Sequence, residues 1–323
     1  MNLACWLATV LVAQMPAAGL PAAPVTALAF APDGKSIIAA TPHEVAELSW
    51  PELKPLRKIA AEVAHVHDVS FAPGGKRLAI AGGQPAEAGR VAILSWPDAR
   101  AEPTLEVGRD VIYRVVWHPG GHVLFLPSAD KGVYLVKAGG TPAPRAGAPI
   151  ALEEHSAAVT AAAVIPDKDR TLLATAGRDQ TIRIWDIANP EKSLRSFDNH
   201  TGAVHDLALR PAGDDSPPIL ASAGADRTVR FWQPAIGRML RFSRLASPPL
   251  AICWTKDGQR VAAACQDGRV RIVELQTARS AVELPAVEGW AYSIALAPDG
   301  RTLLVGGESG QLEAVTLPQE NDR

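Results

Sequence analysis

Two sets of side chains in this sequence have the composition of a hydrolytic triad. His155, Thr175 and Asp179 make one set, and His200, Ser222 and Asp226 make the other. Each is followed at a matching offset by a tryptophan, Trp185 and Trp232. A nucleophilic hydroxyl needs exposure in a cleft, an oxyanion hole and a histidine base oriented by the acid. Here each hydroxyl sits inside an apolar run, LLATAG (172–177) or ILASAG (219–224), where burial is expected. The whole set also occurs twice in consecutive stretches. Duplication of an architectural unit explains that better than duplication of a catalytic centre, so no catalytic residue is assigned.

Metal and cofactor chemistry find less support still. His65 and His67 alternate on one face of a strand start, and His205 holds the matching place later in the chain. A zinc site would need a third and a fourth ligand converging on them, and no spacing supplies these, so no metal is expected. No glycine-rich phosphate loop follows a strand and opens a helix, so no cofactor is expected either. The chain holds 32 Lys and Arg against 34 Asp and Glu, a net charge of −2, with no long run of either sign. That excludes the clustered basic footprint of a nucleic-acid binder.

The elements that must hold these residues announce themselves by recurrence. Seven times an apolar run enters a turn built on Pro, Asp or Gly and leaves as another apolar run. The turns are APDG (31–34), APGG (72–75), HPGG (118–121), IPDKD (165–169), RPAGDD (210–215), TKDG (255–258) and APDG (297–300). The last large apolar residues before them, Phe30, Phe71, Trp117, Val164, Leu209, Trp254 and Leu296, are spaced by 41 to 47 residues. A period in the forties with several short strands per unit predicts a β-propeller. The reading is all-β: seven blades of four antiparallel strands. Within 155–186, strands are expected at 159–164, 172–176 and 181–185, with an outer one near 192–197. The last unit ends with a strand at 312–317, and only PQENDR follows. If an N-terminal leader is removed, its blade is expected to have a weak or absent outer strand, the alternative being a stub of pairing from Leu20 to Pro24.

At this point LLATAGRDQTIRIWD (172–186) and ILASAGADRTVRFWQ (219–233) resemble the WD-repeat propellers. The resemblance implies that His155, Thr175, Asp179 and Trp185, and again His200, Ser222, Asp226 and Trp232, form a structural hydrogen-bond relay tying strands together. A buried Asp must be paired, and such a relay pairs it. It also implies that the chain's own N-terminus supplies the missing outer strand, at about residues 14–19. Outside about 155–235 the resemblance rests mainly on period. One unit keeps only Asp267, with Glu274-Leu275 where Trp-Asp would stand, and two units show Leu-Ser-Trp-Pro at 48–51 and 94–97. The APDGK turn at 31–35 is also similar to those of Tol-type periplasmic propellers.

Superposing the repeats puts Thr26, His67, Tyr113, Thr160, His205, Leu250 and Tyr292 at one position near the mouth of the central channel. His65 and Trp290 lie two residues earlier, and Arg178 precedes a relay Asp. Tyr, Trp and Arg are the residues favoured at binding hot spots. His65, His67, Tyr113, Arg178, His205, Trp290 and Tyr292 are therefore the partner-binding candidates. Asp68 and Arg114, at matching positions on adjacent inner strands, are expected to pair across the channel lining. The reading is a monomeric, non-enzymatic scaffold that binds an unidentified protein partner through its rim. The alternative is an enzyme or small-ligand binder using the channel. It would need convergent carboxylates or histidines, and the strand starts offer only Asp68, Asp206, Arg114 and the histidines.

Residues 1–19 differ from the rest. Leu3 to Val12 is nearly continuous apolar sequence and small residues stand at 17–19, the pattern of a secretory signal peptide. The stretch is too short for a membrane span of roughly 20 residues. Residues 20–323 are then one exported propeller. If 1–19 is retained, they fold into the ring of an intracellular scaffold. Cys253 and Cys265 fall on opposite arms of one hairpin out of register, so no disulfide is expected. A glycosylation sequon, Asn199-His200-Thr201, overlaps a relay histidine.

Overall fold

The computed structural model describes residues 20–121, 123–137, 150–167, 170–211 and 217–318. The expected signal peptide and the 14–19 strand lie outside the described residues. Seven antiparallel sheets are present, six of four strands and one of three. Their innermost strands are Ala27–Phe30, Asp68–Phe71, Val116–Trp117, Val159–Asp167, Val204–Leu209, Pro249–Trp254 and Ala291–Leu296. These define blades 1 to 7. Blade 4 continues through Arg170–Gly177, Ile182–Asp186 and Arg195–Phe197, each paired antiparallel to the strand before. Blade 7 has Ala291–Leu296, Thr302–Gly307 and Leu312–Thr316, with no fourth strand among the described residues. No helix of the described residues is long and apolar enough to cross a membrane.

Strands with apolar residues on both faces must be covered on both sides, and stacking blades does that. In blade 4, Leu172, Ala174, Ile182 and Ile184 pack against Val204, Leu207 and Trp232 of blade 5. From the opposite face, Leu173 and Trp185 meet Phe125 and Val133 of blade 3. Each neighbouring pair of blades shares one such apolar layer. The layer of Val25, Ile37 and Leu48 with Leu304 and Leu312 closes the ring between blades 1 and 7. Two bonds reinforce the closure. The Val25 N–H donates to the Gly307 carbonyl at 3.0 Å, and the Ser293 hydroxyl donates to the Val25 carbonyl at 2.7 Å.

The recurrent turns form a second ring at the ends of the inner strands. Gly75 has φ +71°, and a Cβ there would collide with the Pro32 ring from the turn of blade 1. Gly34, at φ +70°, is packed tightly but less severely against Pro298 from the turn of blade 7, where a Cβ would come to 3.1 Å from the ring. The glycine thus serves both the left-handed backbone and the close approach of a neighbouring turn. Blades 1 and 2, which lack the relay residues, use their Leu-Ser-Trp-Pro tryptophans differently. Trp50 packs edge-on against Phe30, and Trp96 against Phe71, each with centroids 5.0 Å apart.

Candidate interaction surface

Both tetrads are assembled. His155 Nδ1 lies 2.8 Å from Asp179 Oδ2, and its Nε2 lies 2.8 Å from Thr175 Oγ1. The Trp185 indole N–H donates to the same hydroxyl at 2.8 Å. His200 repeats the pattern with Asp226 at 2.9 Å and Ser222 at 2.8 Å, and Trp232 donates to Ser222 at 2.9 Å. A carboxylate only accepts, so Nδ1 carries the proton and Nε2 accepts from the hydroxyl. The order is that of a hydrolytic triad, but each hydroxyl oxygen also receives an indole proton. Thr175 and Ser222 are wholly buried, and His155 and His200 are 4% and 3% exposed. No substrate reaches either hydroxyl. Burial raises the Asp179 pKa, but the bonds from His155 and Thr181 outweigh it and hold the carboxyl at about 2. Asp226 is likewise held well below the usual range by His200 and Thr228, against its burial.

The rim positions divide into residues that lace blades together and residues that face outward. Thr26 donates its hydroxyl to the Val66 carbonyl of blade 2 at 3.0 Å. Thr160 does the same to the Val204 carbonyl of blade 5. His205 Nδ1 donates to the Pro249 carbonyl of blade 6 at 2.9 Å, which commits that nitrogen to blade contact. Two clusters remain. In one, His67 meets Tyr113 edge-on at 5.1 Å, and the exposed Arg178 guanidinium lies 5.8 Å from the Tyr113 centroid. His65 extends this cluster towards His43, with ring centroids 5.9 Å apart. Burial, and then the neighbouring His65, lower His67 to about 4, so it is neutral at physiological pH. In the other cluster Trp290, 41% exposed, lies over Tyr292 at 5.7 Å. The ring contacts of the described residues do not join the two clusters.

Deeper in the channel, Arg114 bridges two acids. Its guanidinium is 3.5 Å from Asp68 Oδ1 and 2.6 Å from Asp206 Oδ1. The closer partner belongs to blade 5, two blades on around the ring, and the repeat alignment alone did not pair it with Arg114. The signal was present in its position, which matches that of Asp68. Each acid also receives backbone N–H groups from the next blade. Val115 donates to Asp68, and Ile252 donates to Asp206, both at 2.9 Å. Burial raises both carboxyls, against the pull of Arg114. Beside the bridge a cavity of about 160 Å³ is lined by Thr26, Tyr292 and Ser293 among others. That volume is well below the roughly 300–1,000 Å³ of ordinary ligand pockets. Cys253 and Cys265 are free thiols, and burial lifts Cys253 to about 12 and Cys265 to about 11. Among the described residues no group of three or more His, Cys, Asp or Glu could hold a metal.

Comparison with protein families adds three matches. Residues 149–186, 191–233 and 246–274 match the family described as WD domain, G-beta repeat. The third match extends the likeness to blade 6, whose tetrad is reduced. There Arg271 makes a two-pronged bond to Asp267 at 2.9 and 2.7 Å. Each of the first two matches begins ahead of an outer strand of one blade and ends in the third strand of the next. The repeat in sequence is therefore offset from the blade in space. No curated protein matches the chain.

Proposed function

With WD40 repeats built into a seven-bladed propeller, a fold commonly used as a protein-interaction scaffold, we propose that this protein is an exported, non-enzymatic scaffold. In this reading it acts as a monomer and engages a protein partner through its rim. The observation that carries the reading is the pair of rim clusters, His67–Tyr113–Arg178 and Trp290–Tyr292. They offer large, rigid, partly exposed aromatic surface with an adjacent cation. Such side chains gain contact area at little cost in conformational entropy. The competing channel-ligand reading has against it the small cavity and the charged groups in its lining, Asp68, Arg114 and Asp206, which are already engaged with one another. Export rests on the sequence of residues 1–19 alone.

The test is capture of bound proteins from the native host by wild type, by Trp290→Ala/Tyr292→Ala and by Tyr113→Ala/Arg178→Ala. A partner held by wild type and lost by at least one double variant is expected. Equal recovery by all three removes the rim from the reading. N-terminal sequencing of the mature protein is expected to begin near Leu20. A start at Met1 would place the scaffold inside the cell.

A further inference from the structure

Charge on the outermost strands is matched by ion pairs in blades 1, 2 and 6, and the lone Arg195 on the outer strand of blade 4 donates to the Ala235 carbonyl. In blade 1, Arg57 and Lys58 pair with Glu47 and Glu44 at 2.6 and 2.8 Å. In blade 2, Glu106 pairs with Arg90 at 3.4 Å, and in blade 6 Glu283 takes Arg269 and Arg271 at 3.1 and 3.0 Å. Blade 5 differs. Its outer strand, Arg238–Arg244, reads RMLRFSR, three arginines and no acid. All three arginines are exposed, and among the described residues no carboxylate pairs with them. Phe242, between them, is 51% exposed, and Ile236 in the turn just before the strand is 64% exposed. Arg230 lies behind Phe242 at 5.2 Å from its ring centroid and holds it in place. In register, Phe242 and Arg244 oppose Arg230 and Thr228, while Arg241 opposes Phe231. Cations therefore stand on both faces of the strand.

This strand is the last of its sheet, so its outward N–H and C=O groups have no ladder partner. Charged residues at an edge ordinarily prevent unwanted pairing. Protection does not call for one sign only, nor for two large exposed apolar side chains beside it. We propose that the outer strand of blade 5 is a docking edge for an extended acidic polypeptide. The segment adds as a fifth strand, with apolar side chains on Ile236 and Phe242 and carboxylates on Arg238, Arg241 and Arg244. A polypeptide is favoured over a nucleic acid on two grounds. An open strand edge presents donors and acceptors that another backbone matches. Three arginines on a chain of net charge −2 fall short of a polyanion's footprint. The edge lies on the circumference, apart from the channel rim.

The test is fluorescence anisotropy with a dye-labelled Glu-Val peptide of repeat Glu-Val-Val-Glu, which presents carboxylates on both faces of an extended strand, beside a Lys-Val peptide and an oligothymidine. Saturable, salt-sensitive binding of the Glu-Val peptide alone is expected. Arg241→Glu/Arg244→Glu should weaken it at least about tenfold, because removed attraction is joined by like-charge repulsion. Trp290→Ala should leave it unchanged, and amide hydrogen exchange over 238–244 should slow on binding. If the charge-reversed chain melts early, Arg241→Gln/Arg244→Gln carries the same comparison. No saturable binding of the Glu-Val peptide, or binding without protection of 238–244, overturns the proposal. Equal or tighter binding of oligothymidine would reassign the edge to nucleic acid.

Discussion

At Thr175 and Ser222 one oxygen accepts an indole proton while its own proton goes to a histidine, with contacts of 2.8 to 2.9 Å. A hydroxyl with both roles taken, in a wholly buried position, joins strands and attacks nothing. The energetic consequence lies at the acid. Asp179 has a folded pKa of about 2, below the ordinary carboxylate value of about 3.9. A depressed carboxyl contributes stability that is present above its unfolded value and lost as pH falls through the folded one. Asp179→Asn is therefore expected to lower unfolding free energy by about 1–3 kcal/mol at pH 7. The gap should narrow as pH falls from about 4 to 2, as followed by urea titration. A gap independent of pH would mean that the charge at Asp179 contributes nothing.

Strands and turns show why such different repeats make equivalent blades. Only blades 4 and 5 carry the full tetrad, yet every blade interface is an apolar layer of similar kind. Trp117 and Trp254 donate their indole N–H to carbonyls of the preceding blade, Ser70 at 3.1 Å and Ala208 at 2.9 Å. The marker residues of the repeat are thus interblade contacts in their own right. Gly74 and Gly75 separate two effects of the turn. Both have positive φ, but a Cβ at Gly74 meets nothing within 4 Å, whereas one at Gly75 strikes Pro32. Gly74→Ala should cost about 1 kcal/mol from backbone strain alone. Gly75→Ala should cost roughly 1–3 kcal/mol more, since the turn of blade 1 must move. Equal melting temperatures for the two variants would show that the turn ring does not contribute to stability.

Across the whole ring, Arg114 and Asp206 are 92 residues apart in sequence and 2.6 Å apart in space. Together with Asp68 they brace blades 2, 3 and 5 against one another across the channel. Removing one partner of a buried charge pair costs about 3–5 kcal/mol, because the other charge stays buried. Asp206→Ala, which also orphans the Leu207 and Ile252 N–H groups, is expected to reach that range in denaturant unfolding. Asp206→Asn should retain part of the lost stability. If Asp206→Ala proves neutral, the bridge does not brace the ring. The ring itself closes through packing and two hydrogen bonds between blades 7 and 1, while Leu312–Thr316 keeps an edge with no strand beyond it among the described residues.

The seven blades and both tetrads were legible in the sequence because each depends on local order. Alternating apolar residues, turn glycines and a hydroxyl a fixed few positions before an Asp survive in a linear reading. The Asp68–Arg114 pairing was legible for the same reason, since adjacent repeats carry the two residues at one position. What encircles the channel depends on which distant repeats face each other, and that is set by ring closure. Only the tertiary structure therefore decided that Arg114 reaches Asp206, that His205 spends a nitrogen on its neighbour, and that the rim aromatics fall into two clusters. The uncompensated arginines of blade 5 belong with these. A sequence shows where charges are, but whether a carboxylate stands within reach is a property of folded distance.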